Sequence, residues 1–180
     1  MLTQADLAGR ARRPAVFFDR DGVLNRDVGY LHRLEEFVWL EGAKEAIRLC
    51  NDAGYFVFVV TNQAGVARGY YGEEDVVRLH AWMNAELARQ GAHVDGFEYC
   101  PHHPDGLEGP YRRACRRRKP ESGMILDLLA NWPIDKQASF LVGNMQSDLD
   151  AATGAGVKAH LYQGGNLAEF VAARLARQSG

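Results

Sequence analysis

The sequence predicts an α/β protein, a three-layer sandwich in which a mostly parallel sheet of five or six strands is covered by helices on both faces. Three observations predict it. Runs such as PAVFF (14–18) and YFVFVVTN (55–62) are apolar without alternation, as in strands buried on both faces. Other segments carry apolar residues at helical spacing. The two kinds of segment alternate along the chain, the order of a parallel sheet joined by helical crossovers.

Each element has its own signal. PAVFF is the first strand. In EGAKEAIRLCNDAG (41–54), Ala43, Ala46, Ile47, Leu49, Cys50 and Ala53 recur as on one helical face, and Gly54 ends the helix. YFVFVVTN is the second strand. GEEDVVRLHAWMNAELARQG (72–91) opens on acids that suit a helix N-terminus, with Val76, Leu79, Met83 and Leu87 on one face. GFEYC (96–100) is a short third strand. PESGMILDLLANW (120–132) begins with proline at a helix start. ASFLVGN (138–144) is the fourth strand, QSDLDAATGAG (146–156) a helix ended by glycine, AHLYQ (159–163) the fifth strand, and NLAEFVAARLAR (166–177) the last helix.

At 180 residues the chain suits one domain with a sizeable core, residues 1–13 forming a lead-in arm. It is 47% hydrophobic and 24% charged, with a formal net charge of −2, so nothing global draws it to nucleic acid or membrane. No apolar run approaches the ~20 residues that span a bilayer. MLTQADLAGRARRP lacks the apolar middle of a secretory signal. Three cysteines, Cys50, Cys100 and Cys115, do not make a disulfide framework. The expectation is a cytoplasmic monomer.

Parallel sheets bind ligands at the carboxyl ends of their strands. The first strand ends in Asp19 and Asp21, before Gly22, where the chain is expected to turn and leave both acids exposed. A solvated turn explains that pair alone. The second strand, however, ends in Thr61 and Asn62, the fourth in Asn144 with Asp148 beyond it, and Lys119 stands just before Pro120. Acids, a hydroxyl, a lysine and a further polar pair along one edge are what phosphoryl transfer to a carboxylate nucleophile requires.

In this set the sequence resembles the haloacid dehalogenase superfamily of phosphohydrolases. Asp19-Arg20-Asp21-Gly22, Thr61-Asn62, Lys119, and Gly143-Asn144 with Asp148 match its four motifs in order. DRDGVLN, DVGY, VVTNQAGVARG, YCPHHP and RKP narrow the resemblance to the D,D-heptose 1,7-bisphosphate phosphatases and the related histidinol-phosphate phosphatases, over residues 14 to 165. The resemblance implies a Rossmann-like fold of the haloacid dehalogenase type with no separate cap domain. It implies that Asp19 attacks phosphorus, forming an aspartyl-phosphate. Asp21 protonates the leaving group and then activates water. Thr61 and Lys119 hold phosphoryl oxygens, and Asp148 orients Lys119. Mg2+ sits on Asp19, Asp21 (through its backbone carbonyl) and Asn144. The implied substrate is a small phosphorylated sugar. Histidinol phosphate is the alternative, and a sugar-phosphate binding protein of impaired activity is another.

Two positions depart from the family pattern. The fourth motif has Asn144 where an acid is usual, which removes one negative charge from the Mg2+ site. In the loop YCPHHPDGLEGPYRRACRRRKP, Cys100, His102 and Cys115 match three ligands of the zinc site in the resembled phosphatases, but the fourth position is Arg117. Structural zinc takes four ligands. Either His103 or a water completes zinc here, or the loop is metal-free; a Cys100–Cys115 disulfide does not suit a reducing compartment.

Without a cap, loops must shape the pocket. The candidates are Asp27, Val28, Gly29 and Tyr30; then Thr61, Asn62, Gln63 and Ala64; then the cysteine loop. In that loop Arg118 is expected to meet a second anionic group and Lys119 the phosphate, while Arg112 and Arg113 are solvated. Tyr30 is equally readable as a packing aromatic. The remaining histidines, His32, His80, His93 and His160, show no spacing that suggests a site.

Overall fold

The structure is a computed structural model that describes residues 11–177. Most of the expected lead-in arm lies outside the described residues. Five strands, β1 (Ala15–Phe18), β2 (Phe56–Asn62), β3 (Gly96–Cys100), β4 (Phe140–Gly143) and β5 (Lys158–Leu161), pair in parallel throughout, in the order β3-β2-β1-β4-β5. The helices are α1 (Ala43–Asp52), α2 (Glu73–Ala88), α3 (Gly123–Asn131), α4 (Gln146–Gly154) and α5 (Leu167–Ala176), with a 3-10 turn at Leu34–Glu36.

The apolar strands are unalternating because both faces are covered. Val16 and Phe18 of β1, with Val57 and Val59 of β2, face a core built with Ala46 and Ile47 of α1, Leu79 and Met83 of α2, and Leu167 and Val171 of α5. Ala15 and Phe17, with Phe56, Phe58 and Val60, face Met124, Ile125 and Leu128 of α3 and Ala151 and Ala152 of α4. Successive side chains thus go to opposite helix layers, the period-2 geometry of a strand. The three tryptophans pack at the boundary: Trp39 and Trp82 on Phe37, Trp132 on Phe56 and Phe58.

One helix starts later than its sequence suggests. Pro120, joined to Lys119 by a cis peptide bond, stands outside α3, which begins at Gly123. The preceding residues are held in turns, with Arg118 N–H donating to Cys115 O at 3.0 Å, Glu121 N–H to Arg118 O at 2.8 Å and Gly123 N–H to Arg116 O at 2.8 Å. These bonds engage the chain before the helical ladder can form.

From β1 the chain moves outward to β2 and β3, then returns to place β4 on the other side of β1. The reversal opens a crevice at the carboxyl ends of β1 and β4, where open α/β sheets bind ligands. Asp21 to Thr61 holds the 3-10 turn, α1 and β2; Thr61 to Lys119 holds α2, β3 and the cysteine loop. Among the described residues neither interval forms a separate cap domain. No helix among them is long and apolar enough to cross a membrane.

Phe17 is fully buried and stacks on Phe58 with ring centroids 5.6 Å apart. Phe17→Ala is expected to lower unfolding free energy by about 3–5 kcal/mol, read from the shift of a urea unfolding midpoint.

Candidate active site

The site begins where β1 runs out. Asp19 N–H donates to Val142 O at 3.0 Å, so pairing with β4 continues one residue beyond the strand and fixes the Asp19 backbone. The chain then folds back: Arg20 O accepts from Leu24 N–H at 2.9 Å and Asn25 N–H at 3.2 Å. Gly22 has φ +82°, and a Cβ there would collide with the Asn144 side-chain amide. Glycine therefore meets both the left-handed backbone and the close approach of the fourth motif.

Lys119 links the strand ends. Its Nζ lies 2.7 Å from Asp19 Oδ1, 2.7 Å from Asp148 Oδ1 and 2.8 Å from Val60 O. Three acceptors match the three protons of an ammonium. The other Asp148 oxygen accepts from the N–H groups of Asn144 (3.1 Å) and Met145 (2.9 Å), capping the first turn of α4. Asn62 clamps the Lys119 main chain, donating from Nδ2 to Lys119 O and accepting from Lys119 N–H, both at 3.0 Å. Burial works against the Lys119 charge, but Asp19 and Asp148 outweigh it and hold the ammonium above its ordinary pKa. Burial pushes the Asp19 carboxyl up to about 6; Lys119 pulls against this and Asp148 adds to it.

These groups line one cavity of about 270 Å³ together with Asp21, Thr61, Asp27, Gly29, Tyr30, Ala64 and Arg118. A cavity of this size suits a small ligand. Tyr30 packs edge-on against Tyr70 at 4.6 Å and still borders the cavity, so packing and lining coexist. The Arg118 guanidinium donates to His102 O at 3.4 Å and has no carboxylate partner among the described residues.

One expectation needs correction, and the structure places three further residues in detail. Asp19 is only 8% exposed, because β1 is the central strand and its end is walled by β2 and β4. Val28 is 46% exposed and outside the cavity lining, so its loop neighbours form that wall without it. Gln63 borders the cavity but its amide is spent within the protein. It donates to Thr61 Oγ1 (2.8 Å) and Asp21 Oδ2 (3.2 Å), and accepts from Tyr71 OH (2.8 Å) and Arg20 (3.3 Å). That fills all four hydrogen-bonding positions of a primary amide, leaving none for a substrate. His80 is buried, with its Nε2 3.4 Å from Arg20 Nη1 and its ring stacked on Phe97 at 4.5 Å. The sequence shows Arg20 between the two acids of the first motif but gives it no role. Its signal was an arginine two residues past a buried apolar strand, where a charge needs a buried partner.

The cysteine loop brings Cys100, His102 and Cys115 together, their ligand atoms all within 4.8 Å of one another. Arg117 turns away to ion pairs with Glu98 and, at 3.5 Å, Asp127. His103 uses Nδ1 to accept from Asp105 N–H at 3.0 Å and is not in the cluster. Burial pushes the Cys100 thiol up to about 11. At the main cavity, Asn144 Oδ1 is buried with no hydrogen-bond partner among the described residues. An orphaned oxygen in the same cavity as the Asp19 carboxylate is a donor set that fits a hard divalent cation.

Comparison with known proteins decides the family. The chain is 48% identical over 164 residues, 91% of each chain, to D-glycero-beta-D-manno-heptose-1,7-bisphosphate 7-phosphatase of Rhodopseudomonas palustris. It belongs to the heptose-1,7-bisphosphate 7-phosphatase family of haloacid dehalogenase-like phosphatases. A second relative, D-glycero-alpha-D-manno-heptose-1,7-bisphosphate 7-phosphatase of Burkholderia mallei, is 48% identical over 143 residues, covering 79% of this chain and 76% of its own. A family model described as "HAD-hyrolase-like" matches residues 116–178. The crystal structure of D,D-heptose 1,7-bisphosphate phosphatase from B. bronchiseptica, complexed with magnesium and phosphate, superposes with a TM-score of 0.75 at 34% identity, covering 89% of this chain and 86% of that one.

Burial, with the Arg20 charge, pushes His80 down to about 3. The unfolded chain returns it to about 6.5. Between those values the unfolded state holds a proton that the native state does not, so stability falls as pH drops through that window, by up to about 1.4 kcal/mol per pH unit. His80→Gln keeps an acceptor for Arg20 without titrating. Urea unfolding from pH 6.5 to 4 is expected to show a shallower loss in this variant than in the native protein.

Proposed function

We propose that this chain is a Mg2+-dependent phosphatase that removes the 7-phosphate of D-glycero-D-manno-heptose 1,7-bisphosphate through an aspartyl-phosphate. The observation that carries this is the shared cavity of Asp19, Asp21, Thr61 and Lys119, in a chain with relatives named for that reaction at 48% identity. The whole chain acts as one phosphatase domain, with loops in place of a cap.

Asp19 Oδ1 is engaged by Lys119 and, at 2.8 Å, by Arg20 N–H, which leaves Oδ2 as the attacking oxygen. Oδ2 bonds to phosphorus as the bond from phosphorus to the sugar oxygen breaks. Asp21 passes a proton to that oxygen, and the sugar departs as an alcohol. Asp21, now a carboxylate, takes a proton from water, and the resulting hydroxide displaces phosphate from Asp19. Thr61 holds a phosphoryl oxygen through its hydroxyl, and Lys119, its three protons taken by Asp19, Asp148 and Val60, adds a buried positive charge beside the phosphoryl group as charge shifts among its oxygens. Mg2+ on the Asp19 carboxylate, the Asp21 backbone carbonyl and Asn144 Oδ1 would supply positive charge between an anionic nucleophile and an anionic ester. Arg118 at the cavity wall, without a carboxylate partner among the described residues, suits the second phosphate of a bisphosphate.

Zinc on Cys100, His102 and Cys115, with water as fourth ligand, belongs to the same proposal. The convergence of the three ligand atoms and the diversion of Arg117 to Glu98 and Asp127 support it. Zinc there would tie the end of β3 to the loop that carries Arg118 and Lys119. Metal analysis of protein purified without chelator is expected to find one zinc per chain; none would remove this part of the proposal.

Phosphate release from both anomers of the heptose bisphosphate, a heptose monophosphate and histidinol phosphate, with and without Mg2+, tests the function. The bisphosphate is expected to be the best substrate and to require Mg2+. Asp19→Asn is expected to lower kcat by on the order of 10⁴-fold or more. Greater turnover of histidinol phosphate would reassign the substrate, and undiminished activity in Asp19→Asn would sink the nucleophile.

A further inference from the structure

Arg20 is fully buried, beside the residue that attacks phosphorus. Its guanidinium makes a fork with Asp21: Nη2 lies 2.9 Å from Oδ2 and 3.1 Å from Oδ1, and Nε 3.3 Å from Oδ1. Nη2 also reaches Leu31 O at 3.2 Å and Gln63 Oε1 at 3.3 Å. On the far side, Nη1 meets His80 Nε2 at 3.4 Å. His80 is 4% exposed on α2 and is itself fixed by stacking on Phe97.

A buried ion pair is poor evidence for stability, since well-packed apolar residues of similar volume often do as well or better. What a planar guanidinium supplies, and an apolar side chain does not, is orientation of a carboxylate by paired hydrogen bonds. Asp21 directly precedes Gly22, where the backbone turns with positive φ, and keeps a fifth of its side chain exposed to the cavity. Without a fork behind it, that carboxylate has several rotamers available. Asn25 Nδ2, at 2.9 Å from Oδ1, and Gln63 hold it from the sides, but only Arg20 engages both oxygens.

We infer that Arg20 is a positioning residue, anchored by His80 in α2, that aims the Asp21 carboxylate at the leaving oxygen of the substrate. The inference rests on the proposed role of Asp21 as proton donor but not on which sugar is the substrate. Through His80 it makes a helix on one face of the sheet part of the support for proton transfer at the carboxyl edge.

The test compares two kinds of phosphate ester. An alkyl ester leaves as a poor alkoxide and needs its proton delivered; an activated aryl ester such as 4-nitrophenyl phosphate does not. Because kcat/KM reports the path up to aspartyl-phosphate formation, it isolates that delivery. In Arg20→Gln, kcat/KM for the best alkyl phosphate of the panel is expected to fall about 100-fold, the cost of a catalytic group misplaced by about 1 Å. For 4-nitrophenyl phosphate it should fall less than about threefold, since proton donation contributes little there. Arg20→Lys should recover part of the alkyl rate. His80→Leu, which leaves Arg20 and Asp21 in place, should show the same alkyl-selective loss at smaller size, and it decides the matter if Arg20→Gln does not fold. Equal losses on both esters in a variant that retains its fold would overturn the inference. A native protein that prefers histidinol phosphate would change the proposed substrate and leave this test standing; a native protein that hydrolyses no ester would overturn both.

Discussion

The Lys119 ammonium is the constraint on which the rest of the structure depends. It is buried between Asp19 and Asp148 and capped by the Val60 carbonyl, so one cation joins the ends of β1 and β2 to the start of α4. A charge out of water must be fully paired to be tolerated. Three strong acceptors at hydrogen-bond distance meet that demand, and each can meet it only if its own element is in place. Asp148 in turn spends its second oxygen on the backbone of residues 144 and 145. The cation thus sets the geometry of the β4–α4 turn as well as that of the residue proposed to attack phosphorus.

The triad carries one positive and two negative formal charges. The residual negative charge shares with the orphaned oxygen of Asn144 a cavity that would also receive an anionic ester. Divalent cation chemistry suits that imbalance. Asn144 contributes an oxygen without a charge, which makes the two flanking aspartates the main electrostatic attraction for a metal. Arg20 and Asp21 form a second pair, so the two acids of the DRDG segment have different partners. Asp19 shares a cation with Asp148, whereas Asp21 has one to itself. Different environments for two neighbouring carboxylates allow one to act in a bond to phosphorus and the other in proton transfer.

Much of the fold was legible. Unalternating apolar strands such as FVFVVTN can only be covered on both faces, and apolar spacing together with start and stop residues located five helices to within a few residues. The exception at Pro120 is instructive. Proline is compatible with a helix start, but local turn bonds from Cys115, Arg116 and Arg118 claimed the backbone first. Legibility was lower in the site. Asp19, Asp21, Thr61, Lys119, Asn144 and Asp148 were nameable from their positions after strands or before a helix, and the structure gathers them around one cavity. The partners of Gln63 and His80 were not legible, because a polar side chain's partners depend on which distant groups come within about 3 Å, which spacing along the chain does not encode.

The sequence by itself determined the layer architecture, the parallel sheet and the identity of the residues at its carboxyl edge, because these follow from hydrophobic periodicity and from local turn chemistry. Only the tertiary structure decided how those residues divide their hydrogen bonds: that Lys119 is saturated by Asp19, Asp148 and Val60, that Gln63 has no bond left for a ligand, and that Arg20 bridges Asp21 to His80 on α2. The physical reason is that donors and acceptors are finite. Which of them is free to meet a ligand is settled after long-range packing has assigned the others.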